Sequence, residues 1–198
     1  MSLILEPEPP KDIPEVGVLV LGRFQPFHKG HESLVKGASE VASDSRLVIG
    51  VGSSNREESL ENPWSWQERI EMISVWLAAE GIEAEVVAIP DIEDPPNWVA
   101  HASRYHGELG VIYTSDEGTA ELYRDAGWEV IDHPLVERDD LQGWRIRLTL
   151  KMLSTVHERE GCLQVMSVTI PDVVAEHLYD GGLLARLAFL GADFEPVG

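Results

Sequence analysis

The sequence is poor in cysteine, in positive charge and in long apolar runs. Its one cysteine, Cys162, excludes an internal disulfide and any cysteine-cluster metal site. No apolar run approaches the roughly 18–20 residues that a membrane-spanning helix needs. The first 15 residues lack a basic start followed by an apolar stretch, so they are not read as a secretory leader. Positive charge is scarce: 15 Lys+Arg face 35 Asp+Glu, a formal net charge of −20. So acidic a chain suits neither nucleic-acid polymers, which are bound by basic surfaces, nor anionic lipid. These absences predict a cytoplasmic protein with no nucleic-acid or membrane partner.

What is present is a core and a regular alternation. The 198 residues are 43% hydrophobic, enough for one domain of ordinary size. Residues 1–15 read as an acidic tail broken by Pro7, Pro9, Pro10 and Pro14. Residues 16–198 read as a single domain with a helical C-terminal part. Short apolar runs at 16–22, 46–51, 85–89, 109–113 and 128–131 fit buried strands. Helices are expected over 32–41, from an Asn62–Pro63 start to about Glu80, after Pro96, and from a Ser115 cap to Ala126. Further helices are expected over 143–153 and from Pro171, with residues 154–169 as a longer connection. Strand–helix alternation of this kind predicts an α/β fold, a Rossmann-like doubly wound parallel sheet. In such sheets ligands bind beyond the carboxyl ends of the strands, where strand order reverses.

The loop after the first strand carries the chemistry. It reads Gly22-Arg23-Phe24-Gln25-Pro26-Phe27-His28-Lys29-Gly30-His31. It is neither G-x-G-x-x-G nor a P-loop. With His31 in the first helical turn, both imidazoles can face one phosphate-sized site. The helix start adds N–H donors and a partial positive charge. Gly30 lets the backbone approach a ligand, and Arg23 can grip a phosphate through two parallel bonds. None of these groups is a nucleophile, so the natural chemistry is stabilisation of charge on phosphoryl oxygens. Arg23, His28, Lys29, His31, Arg145, Arg147 and Lys151 are expected to gather scarce positive charge near one strand edge.

This loop resembles the signature of the nucleotidyltransferase superfamily with a His-x-Gly-His motif. More closely it resembles the archaeal type of nicotinamide-mononucleotide adenylyltransferase. Further similar stretches are Gly50-Val51-Gly52-Ser53-Ser54, Glu61 to Ile70, Ile89-Pro90-Asp91-Ile92, Trp98-Val99 with His101, and Ile170 to Val174. The resemblance runs from about Val18 to Leu190. It implies transfer of AMP from ATP to nicotinamide mononucleotide or its acid analogue, giving NAD and pyrophosphate. Magnesium would travel on the triphosphate, with no protein metal site. The scarcity of lysine separately resembles proteins of salt-loaded, halophilic cytoplasms.

The resemblance also implies residue roles. His28, His31 and Arg23 would be catalytic. Gly22, Arg23, Phe24, His28, Gly30, His31, Gly143 and Arg147 would bind ATP. Asp91 and Ile92 would lie beside the nicotinamide carboxamide, with Trp98 stacked on its ring. Arg69 is either a phosphate ligand or a helix-surface residue paired with Glu68 or Glu71. The stretch Gln142-Gly143-Trp144-Arg145-Ile146-Arg147 departs from the family's Ser-Gly-Thr-x-x-Arg by losing both hydroxyls. Pro95 stands where the family has an asparagine, and Asn97, two positions on, is the expected substitute. The family also implies a homo-oligomer, a hexamer. Two other readings fit these residues: a nucleotidyltransferase of the same fold with a different phosphorylated acceptor, and a non-catalytic nucleotide-binding paralogue.

Overall fold

The computed structural model describes residues 5–13, 16–108, 110–134 and 141–191. Five parallel strands form one sheet: β1 (Val18–Gly22), β2 (Leu47–Val51), β3 (Glu85–Ala88), β4 (Val111–Thr114) and β5 (Glu129–Asp132). Their order is β3-β2-β1-β4-β5, so the direction of winding reverses between β1 and β4. Val18 pairs with Leu47 on one side and Val111 on the other, which brings the ends of these strands to one edge. The proposed start of the fourth strand at Leu109 lies outside the described residues.

Alternation along β1 divides the core. Val18 and Val20 pack with α1 (Lys29–Ala42) and α2 (Trp66–Glu80), while Leu19 packs with Val99, Tyr123 and Trp128 on the opposite face. Those last residues belong to α3 (Trp98–His106), α4 (Glu117–Asp125) and the turn before β5. The parallel strands are thus covered on both faces, which is why they read as continuous apolar runs. Three more helices, α5 (Gly143–Leu153), α6 (Arg159–Met166) and α7 (Asp172–Asp180), extend the larger core through Ile146, Met166 and Val174.

Several boundaries move for identifiable reasons. Helix α2 starts at a Ser65 cap, because Ser65 and Glu68 form a reciprocal capping box; Asn62 instead closes a turn with Ser59. Asp116, rather than Ser115, caps α4 by accepting from the Thr119 N–H. The stretch expected as a connection contains α6, started by the Glu158 carboxylate on the Glu160 and Gly161 amides. No helix among the described residues is long and apolar enough to cross a membrane.

Candidate active site

The loop from β1 to α1 builds the centre of the site, and its two histidines cap the helix. His28 is the N-cap: its Nδ1 accepts from the Gly30 amide at 3.1 Å, and His31 Nδ1 accepts from the His28 amide at 3.3 Å. This is a capping box made by imidazoles, and it explains their three-residue spacing. The rings stack with centroids 3.8 Å apart. With each Nδ1 held as an acceptor, each neutral ring carries its proton on Nε2 and is a donor there.

Both rings are held neutral. Burial pushes His28 down to about 4, and the Arg147 charge adds to the effect. Burial also drives His31 well below the usual range, assisted by His28 and opposed by the Pro26 carbonyl. The expected positive charge at these two positions is therefore corrected: the unliganded site presents N–H dipoles there, because a buried imidazolium loses its hydration.

Fixed charge comes from arginines. Arg147 is buried and donates to the Gln25 carbonyl at 2.8 Å. Its pKa is lowered first by burial and then by Arg23, which is itself exposed. A Cβ at Gly143 would lie 3.1 Å from the Arg147 guanidinium, which would have to give by a few tenths of an ångström. Gly30 is similarly constrained: its Cβ would meet the His28 ring at 3.0 Å. Phe24 is buried, with its ring 4.7 Å from His31 and beneath Gly22. Its side chain supports the histidine and presents no surface of its own to a ligand.

Arg69 takes neither role expected of it. It is 1% exposed, and its guanidinium donates to the carbonyls of Arg23 and Gly52 at 2.8 Å, Ser53 at 3.1 Å and Ser65 at 3.3 Å. Burial lowers its pKa to about 10, with Arg23 adding to the fall and Asp91 opposing it, so it stays charged. The loops it ties contain Phe24 at φ 51° and Ser53 at φ 54°. Left-handed backbone at non-glycine residues costs on the order of 1–3 kcal/mol each and persists only where surroundings enforce it. The planar fork of Arg69 supplies that enforcement. Gln25 adds to it: its amide pairs with the Trp64 backbone at 2.8 and 3.2 Å. Sequence reasoning passed over Gln25, whose bonds go to a backbone 39 residues away.

Two other expected cations are engaged elsewhere. Lys29 Nζ donates to the Ser167 carbonyl at 2.6 Å, and Lys151 Nζ to the Leu190 carbonyl. Arg145 stacks on Trp144, 5.3 Å from the ring centroid. The Trp144 indole N–H donates to the Gln142 side chain at 2.6 Å, and the indole is about half exposed.

The loops after β2 and β3 form a second group. Asp91 accepts from Ser53 Oγ and Arg56 Nε, each at 2.8 Å, and Asn55 pairs with its backbone. Ile92 is half-buried beside it. Trp98 is half-buried against the cluster of Ile89, Ala102 and Tyr105, with its ring edge-on to Tyr123 at 6.3 Å. Asn97 bonds Asp94 at 2.7 Å, so its side chain is already engaged. The structure thus brings Arg23, His28, Gly30, His31, Gly143 and Arg147 together, and links Asp91, with Ile92 next to it in the chain, to them through Ser53 and Arg69, while Trp98 packs on the Ile89, Ala102 and Tyr105 cluster. Among the described residues, no three His, Cys, Asp or Glu side chains form a metal-binding group.

A switch-point loop that carries two neutral imidazole donors beside the Arg147 guanidinium is suited to phosphate, in an α/β protein with a parallel sheet. The cytidylyltransferase-like family model matches residues 19–133. A nicotinamide-nucleotide adenylyltransferase of Haloarcula marismortui is 30% identical over 173 residues, covering 81% of this chain and 91% of that protein. One from Ignicoccus hospitalis is 32% identical over 169 residues, covering 84% and 92%. A solved bifunctional NMN adenylyltransferase/ADP ribose pyrophosphatase of Francisella tularensis, complexed with AMP and a manganese ion, superimposes with a TM-score of 0.57. It is 22% identical, and the match covers 69% of this chain and 42% of that one, so it speaks for the fold alone. The chain belongs to the cytidylyltransferase-like family of nucleotidyltransferases and, within it, to the nicotinamide-nucleotide adenylyltransferases.

Proposed function

We propose that the chain transfers AMP from ATP to nicotinamide mononucleotide, forming NAD and pyrophosphate. A phosphate oxygen of the mononucleotide attacks the α-phosphorus in line. The bond to the β-phosphate oxygen breaks, and pyrophosphate leaves. Catalysis is then positioning and charge stabilisation, with no covalent enzyme intermediate. His28 donates through Nε2–H to phosphoryl oxygens, and His31 does so on exchanging the Pro26 carbonyl for a phosphoryl oxygen. Arg23 and Arg147 hold the phosphates, and the backbone of Gly22, Phe24, Gly30 and Gly143 lines the nucleotide. Asp91, Ile92 and Trp98 receive the acceptor; an indole face is a favourable partner for a cationic pyridinium. The observation that carries this reading is the imidazole capping box, which aligns two N–H donors at a helix start beside Arg147.

We assign the divalent cation to magnesium bound by the triphosphate and water, as hard oxygen ligands suit it. The Francisella protein was solved with AMP and a manganese ion, a divalent cation of the same class. We place the reaction in the cytoplasm, with a single catalytic domain over residues 16–198. We also propose a homo-oligomer, a hexamer by resemblance; the exposed Trp144, Leu148 and Met152, spaced along one face of α5, support such assembly. The test is pyrophosphate release from ATP and Mg²⁺ with a panel of phosphorylated acceptors, in buffers of low and high KCl. Release with nicotinamide mononucleotide or its acid form is expected. Release only with another acceptor contradicts the reading.

A further inference from the structure

The stretch ahead of β1 reads in sequence as a tail, yet its described part is docked. Along residues 5–9 the pattern alternates: Leu5, Pro7 and Pro9 are half-buried, while Glu6 and Glu8 are exposed. Two hydrogen bonds anchor it. Ser54 Oγ donates to the Glu6 carbonyl at 2.7 Å, and the Tyr105 hydroxyl donates to the Pro7 carbonyl at 3.2 Å. Both anchors belong to elements that hold Asp91. Ser54 follows Ser53, whose hydroxyl bonds the Asp91 carboxylate. Tyr105 packs on His101, which donates to the Pro90 carbonyl at 2.9 Å. The Glu8 charge is near enough to act on the Tyr105 hydroxyl.

The site is therefore electrically polar along its length. Arg23, Arg69 and Arg147 lie at the phosphate end. At the acceptor end stand Asp91, already paired with Arg56 at 2.8 Å, and the exposed Glu6 and Glu8 of the docked stretch, Glu8 close enough to act on Tyr105. Nicotinamide mononucleotide matches this polarity, with an anionic phosphate and a cationic ring whose amide is uncharged. Its acid analogue adds a carboxylate to the ring end.

We propose that residues 5–10 form a strap that shapes the acceptor side of the site, and that Glu6 and Glu8 bias it toward the amide-bearing mononucleotide. This rests on the adenylyltransferase reading above. Two unit charges about 10 Å from a ligand charge, acting through water, change a preference by about two- to fourfold. Screening over a Debye length of about 10 Å makes the bias visible at about 0.1 M salt and weak in molar salt.

The experiment compares kcat/KM for nicotinamide and nicotinate mononucleotides in the full chain, in the double variant Glu6→Gln/Glu8→Gln, and in a chain lacking residues 2–10. The double variant is expected to lower the amide-to-acid ratio about two- to fourfold, leaving the KM for ATP unchanged. The deletion is expected to do the same and to raise KM for both acceptors. An unchanged ratio in the double variant, with both acceptors turned over, overturns the electrostatic role. A folded deletion variant with unchanged acceptor KM overturns the strap. Should the full chain adenylylate neither acceptor, the functional reading itself fails, an outcome distinct from these two. The double variant keeps both anchoring carbonyls, so the test stands even if the deletion does not fold.

Discussion

The β1–α1 loop and the first turn of α5 meet at the same point but are held differently. Residues 23–31 are tied from several elements: Arg69 from α2, Trp64 from the turn before it, and Arg147 from α5. The start of α5 has no side-chain cap on its Gln142 N-cap, and its large Trp144 is half exposed. One region is pre-organised, as stabilisation of a transition state demands. The other lacks a side-chain cap where the resembling family places hydroxyl donors.

Breaking the fixed region should have the largest effects. Arg69→Ala removes the donor from four carbonyls, two of these bonds being fully buried, and releases two left-handed residues, so about 3–5 kcal/mol of stability should be lost, read as a fall in denaturant midpoint. Arg69→Lys should recover only part of this, because a point charge cannot span the fork. Replacing His31 by Ala should lower kcat by about 10²- to 10³-fold, the usual result of removing one pre-organised donor. Circular dichroism should show the fold retained.

A pH titration separates the histidines from the arginines. His28 and His106 are both pushed from 6.5 down to about 4 by burial, with Arg147 adding to the fall at His28 and the Gly107 carbonyl opposing it at His106. The unfolded chain therefore binds protons that the native chain refuses. Stability is full above about pH 6.5 and falls as pH drops toward 4. By about pH 5 the loss should be on the order of 1–2 kcal/mol per residue. His28→Asn keeps a good N-cap residue but cannot titrate, so it should flatten part of this slope. The smallest effect belongs to the looser region. Trp144→Thr restores a small hydroxyl and should lower KM for ATP by about two- to fivefold, with kcat little changed.

The fold was legible because parallel strands buried on both faces leave continuous apolar runs, as in Leu47–Val51. The bounds of α5 were legible too, from Gly143 to Leu153. Helix α6 was not: it spans 8 residues and buries only Cys162 and Met166, too little for a periodic signal. The histidine string pointed to the site through residue types at fixed spacing. The protonation of those histidines was hidden, because burial is a tertiary property. Arg69 and Gln25 were also hidden, since bonds to distant backbone carbonyls leave no pattern in a sequence. The net charge of −20 describes the chain as a whole and says nothing of where the guanidiniums gather.

The central claim is that the site receives phosphate with neutral, backbone-locked imidazoles. Histidine NMR over a pH series in the unliganded protein tests it most directly. The account predicts that His28 titrates near 4 and His31 well below 6.5, both as Nε2–H tautomers, with Nδ1 bonded to backbone amides. Midpoints at or above 6.5, or protons on Nδ1, would contradict it.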